Sequence, residues 1–577
     1  MLSDAAAVET QIRDWLVQAT AFHKAALLTE AAELYEGILA RDPGHAAALH
    51  LLGALRHAQG RFDEASRLLE AAAAAAPDNA SVHHALGAAL RGAGRMDEAL
   101  AAYDQAIALR PDLAEAHNHR AVALQQLGRL EAAIDGYQAA IGLQPNYAEA
   151  HNNLGTALRR AKRPDEARVA YRAALTLRPG YADALANLGK LEAEAGERLA
   201  AIEAYQRLID LHGPDVDALQ ALGDLLVVLD RDEEALVYYA AALEIRPRDV
   251  GLLDRLGVAL LSLNRRAEAL GILHTAVGID PRNAPAQLHY GMALEKAGQV
   301  EEAMAAQRTA IALDPALPLA RFALGVLCLA VGRPDEAHAL FADWCRDQPD
   351  HPVARHMLAA VSGVDVPDRC SAGYIVDTFD AFAKTFDQQL ERLEYRAPQL
   401  IGRLLQAHAR TDDQGLAVVD LGCGTGLCAE AVGAFCGTLV GVDLVSEMLE
   451  RARRRALYSE LVQADLVDFL TGRPAAFDLA VAADSLIYFG DLAPPLAATA
   501  VALRDGGRFA FSLEAGIDGG TDYMLAPSGR YQHAEAYVRS CLAAAGFGLV
   551  DWRRETLRTE GGLPVVGHIV LAEKTSR

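Results

Sequence analysis

Prolines recur at one fixed interval through the first 349 residues of the chain. Consecutive prolines of this series are 34 residues apart, except for one gap of 68 residues in which Gly213-Pro214 stands one residue late. A period of this length predicts stacked helix pairs, because a single pair cannot bury its apolar side without its neighbours. The series consists of Pro43, Pro77, Pro111, Pro145, Pro179, Pro247, Pro281, Pro315 and Pro349.

Small residues recur at two further positions of each period. A glycine stands ten residues after the proline position in eight repeats, and Ala121 takes its place in another. An alanine follows twelve residues later in every repeat, and five repeats carry a tyrosine four residues beyond that alanine. Small residues let two helices approach closely, and the tyrosine fills the space beside them. The glycines are Gly53, Gly87, Gly155, Gly189, Gly223, Gly257, Gly291 and Gly325, and the tyrosines are Tyr103, Tyr137, Tyr171, Tyr205 and Tyr239.

This pattern resembles the tetratricopeptide repeat family over residues 12–360, with about ten units. The first unit is degenerate and is recognised by Ala31, Tyr35 and Pro43. The resemblance implies an all-α superhelix whose concave face binds a protein or peptide. Candidate contacts to the backbone of such a partner are asparagines on the first helices of several repeats, namely Asn118, Asn152, Asn153 and Asn187.

The composition is that of a folded chain with a strong negative charge. Hydrophobic residues make up 52% and charged residues 23% of the sequence, which excludes a disordered chain. The formal net charge is −23, so we predict no nucleic-acid partner, because binding to phosphates requires a basic surface. No run of about 18 apolar residues occurs, which predicts that no segment spans a membrane.

The seven cysteines show no paired pattern. An odd number at irregular spacing predicts reduced thiols and a cytoplasmic location. The acidic start of the chain, MLSDAAAVETQIRDWL, predicts no signal peptide. We predict no metal site either, since Cys423 and Cys428 enclose four residues around glycines, a poor arrangement for two metal ligands.

The pattern changes after residues 361–370, whose glycine and proline predict a linker. An aromatic helix over residues 374–387 and a longer helix through Leu405 are predicted next. The run Leu416–Leu421 has the length and β-branching of a buried strand. Because helical segments separate the early strands, we predict a parallel sheet with helices on both faces. The further predicted strands cover residues 438–443, 460–464, 477–483, 507–513, 546–552 and 565–572.

A glycine-rich turn follows the first predicted strand. Asp420-x-Gly422-x-Gly424-x-Gly426 stands where that strand meets the next helix. Glycines there let the backbone bend tightly and let a ligand lie against it. Asp443 ends the second strand, where a carboxylate can accept both hydroxyls of a ribose.

The spacing of these glycines bears on the identity of the ligand. The dinucleotide pattern is G-x-G-x-x-G, with a helix N-terminus that faces a pyrophosphate. Here the glycines alternate strictly, and the Asp420 carboxylate would repel a pyrophosphate but suits an ammonium group. The predicted ligand therefore carries an amine and a ribose but no phosphate. S-adenosylmethionine fits this description.

The sequence VVDLGCGTGLCAE resembles the first motif of class I S-adenosylmethionine-dependent methyltransferases. Residues 463–466 and 477–489 resemble the motifs on the third and fourth strands of that family. The resemblance covers residues 375–574 and implies a Rossmann-like α/β domain over residues 371–577, with a mostly parallel seven-stranded sheet whose final strand is antiparallel. Joined to the repeats, it resembles a bacterial group of repeat-containing methyltransferases.

The family implies which residues hold each part of the cofactor. Asp420 and the glycine turn hold the methionine part, and Asp443 binds the ribose. Leu444 packs on the adenine, whose amine and ring contact Asp465 and the Leu466 amide. The implied cofactor-binding set is Asp420, Gly422, Cys423, Gly424, Gly426, Asp443, Leu444, Asp465, Leu466 and Asp484, and the aromatic residues Phe379, Phe382 and Phe386 cover the cofactor.

Methyl transfer from a sulfonium depends mainly on alignment, which can supply roughly 7–11 kcal/mol. A base is needed only when the acceptor is protonated at neutral pH. The candidate catalytic residues are Asp484, Tyr488 and His533. Three functions stay open: a methyltransferase whose repeats recruit a protein partner or substrate, a small-molecule methyltransferase whose repeats only localise or oligomerise it, and a non-catalytic interaction scaffold.

Overall fold

The computed structural model describes residues 2–410, 413–516 and 520–575, with side chains for these residues other than 2–7, 381 and 382. The chain forms two compact units that divide between Arg246 and Pro247. Among the residues described, no helix has the length and apolar composition needed to cross a membrane.

Helices alone make up the structure from Leu2 to Ser362. Those of the first unit are α1 Leu2–Lys24, α2 Leu28–Arg41, α3 Ala46–Ala58, α4 Phe62–Ala75, α5 Ala80–Gly92, α6 Met96–Leu109, α7 Ala114–Gln126, α8 Leu130–Leu143, α9 Ala148–Arg160, α10 Pro164–Leu177, α11 Ala182–Glu194, α12 Arg198–His212, α13 Val216–Val228 and α14 Asp232–Ile245. The second unit begins with α15 Val250–Ser262, α16 Arg266–Ile279, α17 Ala284–Lys296, α18 Val300–Leu313, α19 Pro318–Ala330, α20 Pro334–Asp347 and α21 Pro352–Ser362.

The periodic glycines lie where two helices of a pair touch. A Cβ atom at Gly87 would lie 2.6 Å from Cε1 of Tyr103, and one at Gly223 would lie 2.4 Å from Cε1 of Tyr239. These separations are far below van der Waals contact, so a side chain at the glycine would displace the ring. The rings of Tyr103 and Tyr239 are buried. The predicted packing of glycine against tyrosine is therefore confirmed.

A mixed α/β region follows α21. Its helices are α22 Ala372–Phe382, α23 Phe386–Arg392, α24 Ala397–Ala407, α25 Leu427–Val432, α26 Ser446–Arg454, α27 Leu466–Thr471, α28 Ala493–Ala502 and α29 Glu535–Ala544, with 3₁₀ turns at Ala383–Thr385, Gly433–Phe435 and Leu486–Tyr488. Its strands are β1 Leu416–Leu421, β2 Cys436–Asp443, β3 Glu460–Gln463, β4 Phe477–Ala482, β5 Leu503–Ala515, β6 Tyr523–Leu525, β7 Tyr531–His533, β8 Phe547–Glu560 and β9 Leu563–Lys574.

The strands form one sheet in the order β3-β2-β1-β4-β5, with β9 and then β8 beyond β5. β1 to β5 pair in parallel, whereas β9 runs antiparallel to both β5 and β8. Leu479, Ala480 and Val481 of β4 are fully buried because helices cover both faces of the sheet. This is the mostly parallel sheet that the sequence predicts, and its parallel strands direct their carboxyl ends to one edge.

The observed structure differs from the prediction in three details. The described residues contain nine strands rather than seven, because β6 and β7 pair with each other and β7 with the end of β5. Each has three residues, too few to show an alternating pattern. The predicted aromatic helix over residues 374–387 is interrupted by the 3₁₀ turn at Ala383–Thr385. The longer helix predicted through Leu405 is divided into α23 and α24.

Candidate functional site

The turn after β1 has a left-handed backbone at each of its three glycines. The φ angles are 66° at Gly422, 53° at Gly424 and 89° at Gly426. A Cβ atom at Gly422 would lie 2.5 Å from Oγ of Ser485, so this glycine is required for packing. A Cβ atom at Gly424 would meet only Cε1 of Phe386, at 3.9 Å, so the space over this residue is open. A ligand can therefore lie against the backbone at Gly424.

Asp420, at the end of β1, is 1% exposed. Its Oδ2 accepts a 2.6 Å hydrogen bond from the hydroxyl of Tyr458, while its Oδ1 has no hydrogen-bond partner among the residues described. Burial raises the pKa of Asp420 to about 7, although the bond from Tyr458 acts in the opposite direction. An unpartnered carboxylate oxygen in a buried position is costly, so this group is suited to bind a cationic ligand.

Asp443, at the end of β2, is oriented by backbone amides. Oδ2 accepts a 2.8 Å hydrogen bond from the Gly424 amide, and Oδ1 accepts a 2.9 Å bond from the Val445 amide. Each oxygen has a second lone pair that can accept from a hydroxyl. Asp443 and the glycine turn are therefore joined directly, and Cys423 beside them is buried, with burial raising the pKa of its thiol.

Aromatic side chains of α22 and α23 lie close to this turn. The rings of Phe379 and Phe386 meet edge to face with centroids 5.9 Å apart, and Phe379 meets Tyr488 at 5.6 Å. Leu444 packs in the same cluster. These residues form a row from Gly424 to the loop after β4. The side chain of Phe382, the third aromatic residue of the predicted cover, lies outside the described residues.

Asp465 caps the N-terminus of α27. Its Oδ1 accepts from the Val467 amide at 2.9 Å, and its Oδ2 pairs with the guanidinium of Arg369. Burial acts to raise the pKa of Asp465, but the bond from Arg369 and its charge outweigh this and lower it. Leu466, the first residue of α27, is half-buried. The sequence did not indicate that Arg369 lies beside these residues.

Asp484 lies just after β4 and has a left-handed backbone, with φ of 53°. Its Oδ1 accepts a 2.6 Å hydrogen bond from Ser512, and its Oδ2 pairs with Arg558 at 2.7 Å. A non-glycine residue in this conformation is strained, and such strain clusters at functional positions. Burial raises the pKa of Asp484, and Arg558 and Ser512 only partly offset the effect.

Arg558 joins Asp484 to a larger group of buried charges. It also contacts Glu514 and Glu560, and Arg530 contacts the same two carboxylates at 2.8 and 2.6 Å. Side chains of Arg558 and Glu514 are 4% and 3% exposed. Three carboxylates, Asp484 among them, and two guanidiniums give this group one net negative formal charge. We call these five residues the acidic network.

Two tyrosines border this network. Tyr488 lies in the loop after β4, and Tyr395 lies between α23 and α24, where the Arg396 amide donates to the Leu557 carbonyl at 2.8 Å. Burial and the negative charge of Asp484 both raise the pKa of each phenol. Both tyrosines therefore stay protonated at neutral pH and are suited to donate hydrogen bonds.

His533, the third candidate base, lies in a different setting. It is fully buried, and Nε2 donates to the Phe489 carbonyl at 2.8 Å. Its Nδ1 has no partner among the residues described. Burial lowers its pKa to about 4, so the ring is neutral at neutral pH. No hydrogen bond joins the His533 side chain to the acidic network among the residues described, and we do not include His533 in the proposed mechanism.

Several residues of this site lie outside the motifs recognised in the sequence. Glu514 stands near the carboxyl end of β5, and the signal used for Asp443, an acid that ends a strand, also marks it. Tyr458, Tyr395 and Arg558 belong to no recognised motif. Only the fold brings them to the carboxyl ends of the strands.

Polar side chains of the repeats in the first unit bond to one another. Asn153 donates to Oδ1 of Asn118, and Asn187 donates to Oδ1 of Asn152, each at 3.1 Å. Asn118 and Asn152 are buried. Each bond joins residues 35 positions apart, one more than the 34-residue period, so it links adjacent repeats, and the buried pair stabilises the stack. No group of three or more potential metal ligands is found in the described part of the chain.

Family models match both parts of the chain. A methyltransferase domain matches residues 418–507. Tetratricopeptide repeat models match residues 24–90, 89–128, 123–161, 148–181 and 185–314.

Curated proteins with similar sequences are methyltransferases. Aklanonic acid methyltransferase DauC of Streptomyces sp. (strain C5) is 35% identical over 146 residues, which are 24% of this chain and 64% of that protein. The ubiquinone biosynthesis O-methyltransferase of Xylella fastidiosa (strain M23) is 30% identical over 187 residues, covering 27% of this chain and 76% of that protein. The chain thus spans less than two thirds of the first of these relatives. An S-adenosylmethionine-dependent methyltransferase structure from Mesorhizobium loti is 25% identical, with a TM-score of 0.25, and covers 30% of this chain and 96% of that one.

Proposed function

Because this chain belongs to the methyltransferase family and joins that domain to tetratricopeptide repeats, we propose that it transfers methyl groups from S-adenosylmethionine to an acceptor that its repeats recruit. In this proposal residues 12–360 recruit a protein partner or substrate, and residues 371–577 carry out the reaction. Residues 361–370 form the linker between these two domains. The seven cysteines form no disulfide, which supports a cytoplasmic location.

The observation that carries the proposal is the unpartnered Oδ1 of the buried Asp420 carboxylate next to the open backbone at Gly424. A ligand with an ammonium group would pair with this oxygen and remove the cost of its burial. A pyrophosphate would place like charges together at the same point. The residues present therefore fit S-adenosylmethionine and do not fit a dinucleotide.

The remaining contacts follow from the ends of the neighbouring strands. Asp443 accepts from the ribose hydroxyls with the lone pairs that the Gly424 and Val445 amides leave free. Leu444 packs against the adenine, and Asp465 accepts from its amine while the Leu466 amide donates to the ring. Phe379 and Phe386 exclude water from the same space.

When bound, the cofactor supplies an electrophilic methyl group on a positively charged sulfur. Asp484 lies where the acceptor approaches, and its raised pKa lets it take a proton from a hydroxyl or ammonium acceptor. Ser512 and Arg558 hold its two oxygens in a fixed direction. The Tyr488 hydroxyl orients the acceptor as a hydrogen-bond donor, and this alignment is the main source of rate.

A second candidate function is small-molecule O-methylation, with repeats that only localise or oligomerise the enzyme. The curated relatives favour it, since their names describe the methylation of aklanonic acid and an O-methylation in ubiquinone biosynthesis. The third possibility is a non-catalytic scaffold. In that case the glycine turn and Asp420 would have no ligand, and the buried Oδ1 of Asp420 would stay without a partner at a cost in stability.

Incubation of the full chain with cell extract and S-adenosylmethionine labelled in the methyl group tests these functions. Label in the protein fraction supports the first, and label in small metabolites supports the second. Asp420→Asn is the control, because it keeps the shape of the side chain but loses its charge. A wild-type chain that transfers no more label than this variant would contradict both methyltransferase functions.

A further inference from the structure

Residues 367–370, which we call the connector, run beside the loop that follows β4. The Cys370 amide donates to the Tyr488 carbonyl at 2.8 Å. The Asp368 carbonyl accepts from the amides of Gly490 and Asp491, each at 2.8 Å. Arg369 thereby forms an antiparallel bridge with Phe489. The connector is therefore paired to the loop that carries Tyr488.

The side chain of Arg369 reaches the adenine side of the proposed site. Its guanidinium lies 4.7 Å from the ring centroid of Phe489 and pairs with Oδ2 of Asp465. Oδ1 of Asp465 is already held by the Val467 amide. Both oxygens of the carboxylate are thus fixed, one by α27 and the other by the connector.

The side of the proposed site that adjoins the acidic network also contacts the connector and α21. The hydroxyl of Tyr531 donates to the Pro367 carbonyl at 2.5 Å. His356 of α21 donates from Nε2 to the Gly529 carbonyl at 2.9 Å. Gly529 precedes Arg530, which belongs to the acidic network. The last helix of the repeats and the connector therefore touch three loops of the site.

We propose that the connector is a working part of the methyl-transfer site, in which Arg369 positions Asp465 for the adenine of the cofactor. The proposal rests on the proposed function and goes beyond it, because it makes the end of the repeat array a determinant of cofactor affinity. Arg369 acts through Asp465, so it is a positioning residue.

Arg369 should influence the affinity for S-adenosylmethionine through two effects of opposite sign, so the proposal can be tested. The cofactor carries a positive sulfonium, so long-range electrostatics alone predict that Arg369→Met tightens binding. Positioning predicts the reverse, because Asp465 loses the charge-assisted bond that holds Oδ2. We expect Arg369→Met in the full chain to raise the dissociation constant of S-adenosylmethionine by on the order of tenfold in calorimetry.

Arg473→Met is a matched control. The guanidinium of Arg473 also lies over a phenylalanine, 4.5 Å from the ring centroid of Phe469, and it pairs with Glu460. Glu460 is the first residue of β3, whereas Asp465 follows the last residue of β3, so this ion pair lies at the opposite end of the strand from Asp465. This variant should bind as the wild type does. Arg369→Lys should restore part of the lost affinity, since it keeps the charge but not the planar fork.

A double-mutant cycle separates positioning from a general loss of structure. In an Asp465→Asn background, Arg369→Met should change the affinity by less than twofold, since the partner through which it acts is gone. Unchanged or tighter binding by Arg369→Met, or a full effect in the Asp465→Asn background, would overturn the proposal. Failure of the wild type itself to bind would instead refute the proposed function.

Discussion

The hydroxyl of Tyr458 donates a 2.6 Å hydrogen bond to Oδ2 of Asp420, and Oδ1 of the same carboxylate has no partner among the residues described. Tyr458 therefore fixes the direction of the carboxylate and leaves one oxygen available. Because burial raises the pKa of Asp420 to about 7, protonation of this group should control the binding of a cation.

Binding of S-adenosylmethionine should strengthen as the pH rises. Below pH 7 Asp420 is protonated in the free protein and cannot pair with an ammonium, so the affinity should fall by about tenfold for each pH unit. Above pH 7 it should level off, and then fall once the ammonium group of the ligand itself loses its proton at about pH 8. The nearby thiols of Cys423 and Cys428 have raised pKa values and stay neutral over this range. Calorimetric titrations from about pH 5.5 to about pH 8.5 measure this dependence.

Two variants check the assignment of this dependence to Asp420. Asp420→Asn should bind weakly and without a slope below pH 7. Tyr458→Phe removes the donor that lowers the pKa of Asp420, so the pH at which binding levels off should move upward. A slope that survives in Asp420→Asn would assign the titration to another group.

The open space at Gly424 gives a prediction about binding. Gly424→Ala and Gly546→Ala both place a methyl group on a left-handed backbone, with φ of 53° and 83°. Each should lower stability by roughly 1–2 kcal/mol. Only the methyl group at Gly424 would enter the proposed site, so only this variant should lose at least tenfold in affinity. Equal affinities of the two variants would place the ligand elsewhere.

The bond from His356 to the Gly529 carbonyl should stabilise the second unit. His356→Phe keeps a ring beside Tyr374, 3.9 Å away between centroids, but leaves the Gly529 carbonyl with only the weak contact from Sγ of Cys370 at 3.9 Å. The free energy of unfolding should fall by about 1–3 kcal/mol in urea titrations. His351→Phe is the control, because that imidazole packs on Trp344 and its Nδ1 has no hydrogen-bond partner among the residues described. An equal loss in both variants would show that the bond contributes nothing.

The glycines of the repeats should respond to substitution according to their contacts. A methyl group at Gly87 would overlap the ring of Tyr103, so Gly87→Ala should destabilise the first unit by roughly 1–3 kcal/mol. Gly142 lies in α8 with nothing within 4 Å of its Cβ position. Gly142→Ala should instead stabilise the chain by about 0.5–1 kcal/mol. Thermal unfolding followed by circular dichroism compares them, and the same sign of change in both would contradict the packing described for Gly87.

Much of the fold could be predicted from periodic positions. The proline period predicts the helix pairs because each pair packs against its neighbour in the same way. The strand Leu416–Leu421 has the bounds that its apolar run predicts. The short strands β6 and β7 could not be predicted, since three residues show no period. Their pairing depends on β5, which lies elsewhere in the sequence.

The candidate site was predictable where a residue belongs to a motif on a single strand and its turn. Asp420, Gly424 and Asp443 fall into this class. Tyr458 and Arg369 do not, because their contacts with Asp420 and Asp465 join segments 38 and 96 residues apart. Sequence spacing carries no information on such pairs. The burial of His533 could not be predicted either, since it is set by the fold around the residue.

The central claim is that the turn after β1 binds an amine-bearing nucleoside without a phosphate. Separate calorimetric titrations of the full chain with S-adenosylmethionine and with NAD test it most directly. We predict saturable binding of one S-adenosylmethionine per chain and no binding of NAD. Binding of NAD, or of neither compound, would contradict the claim.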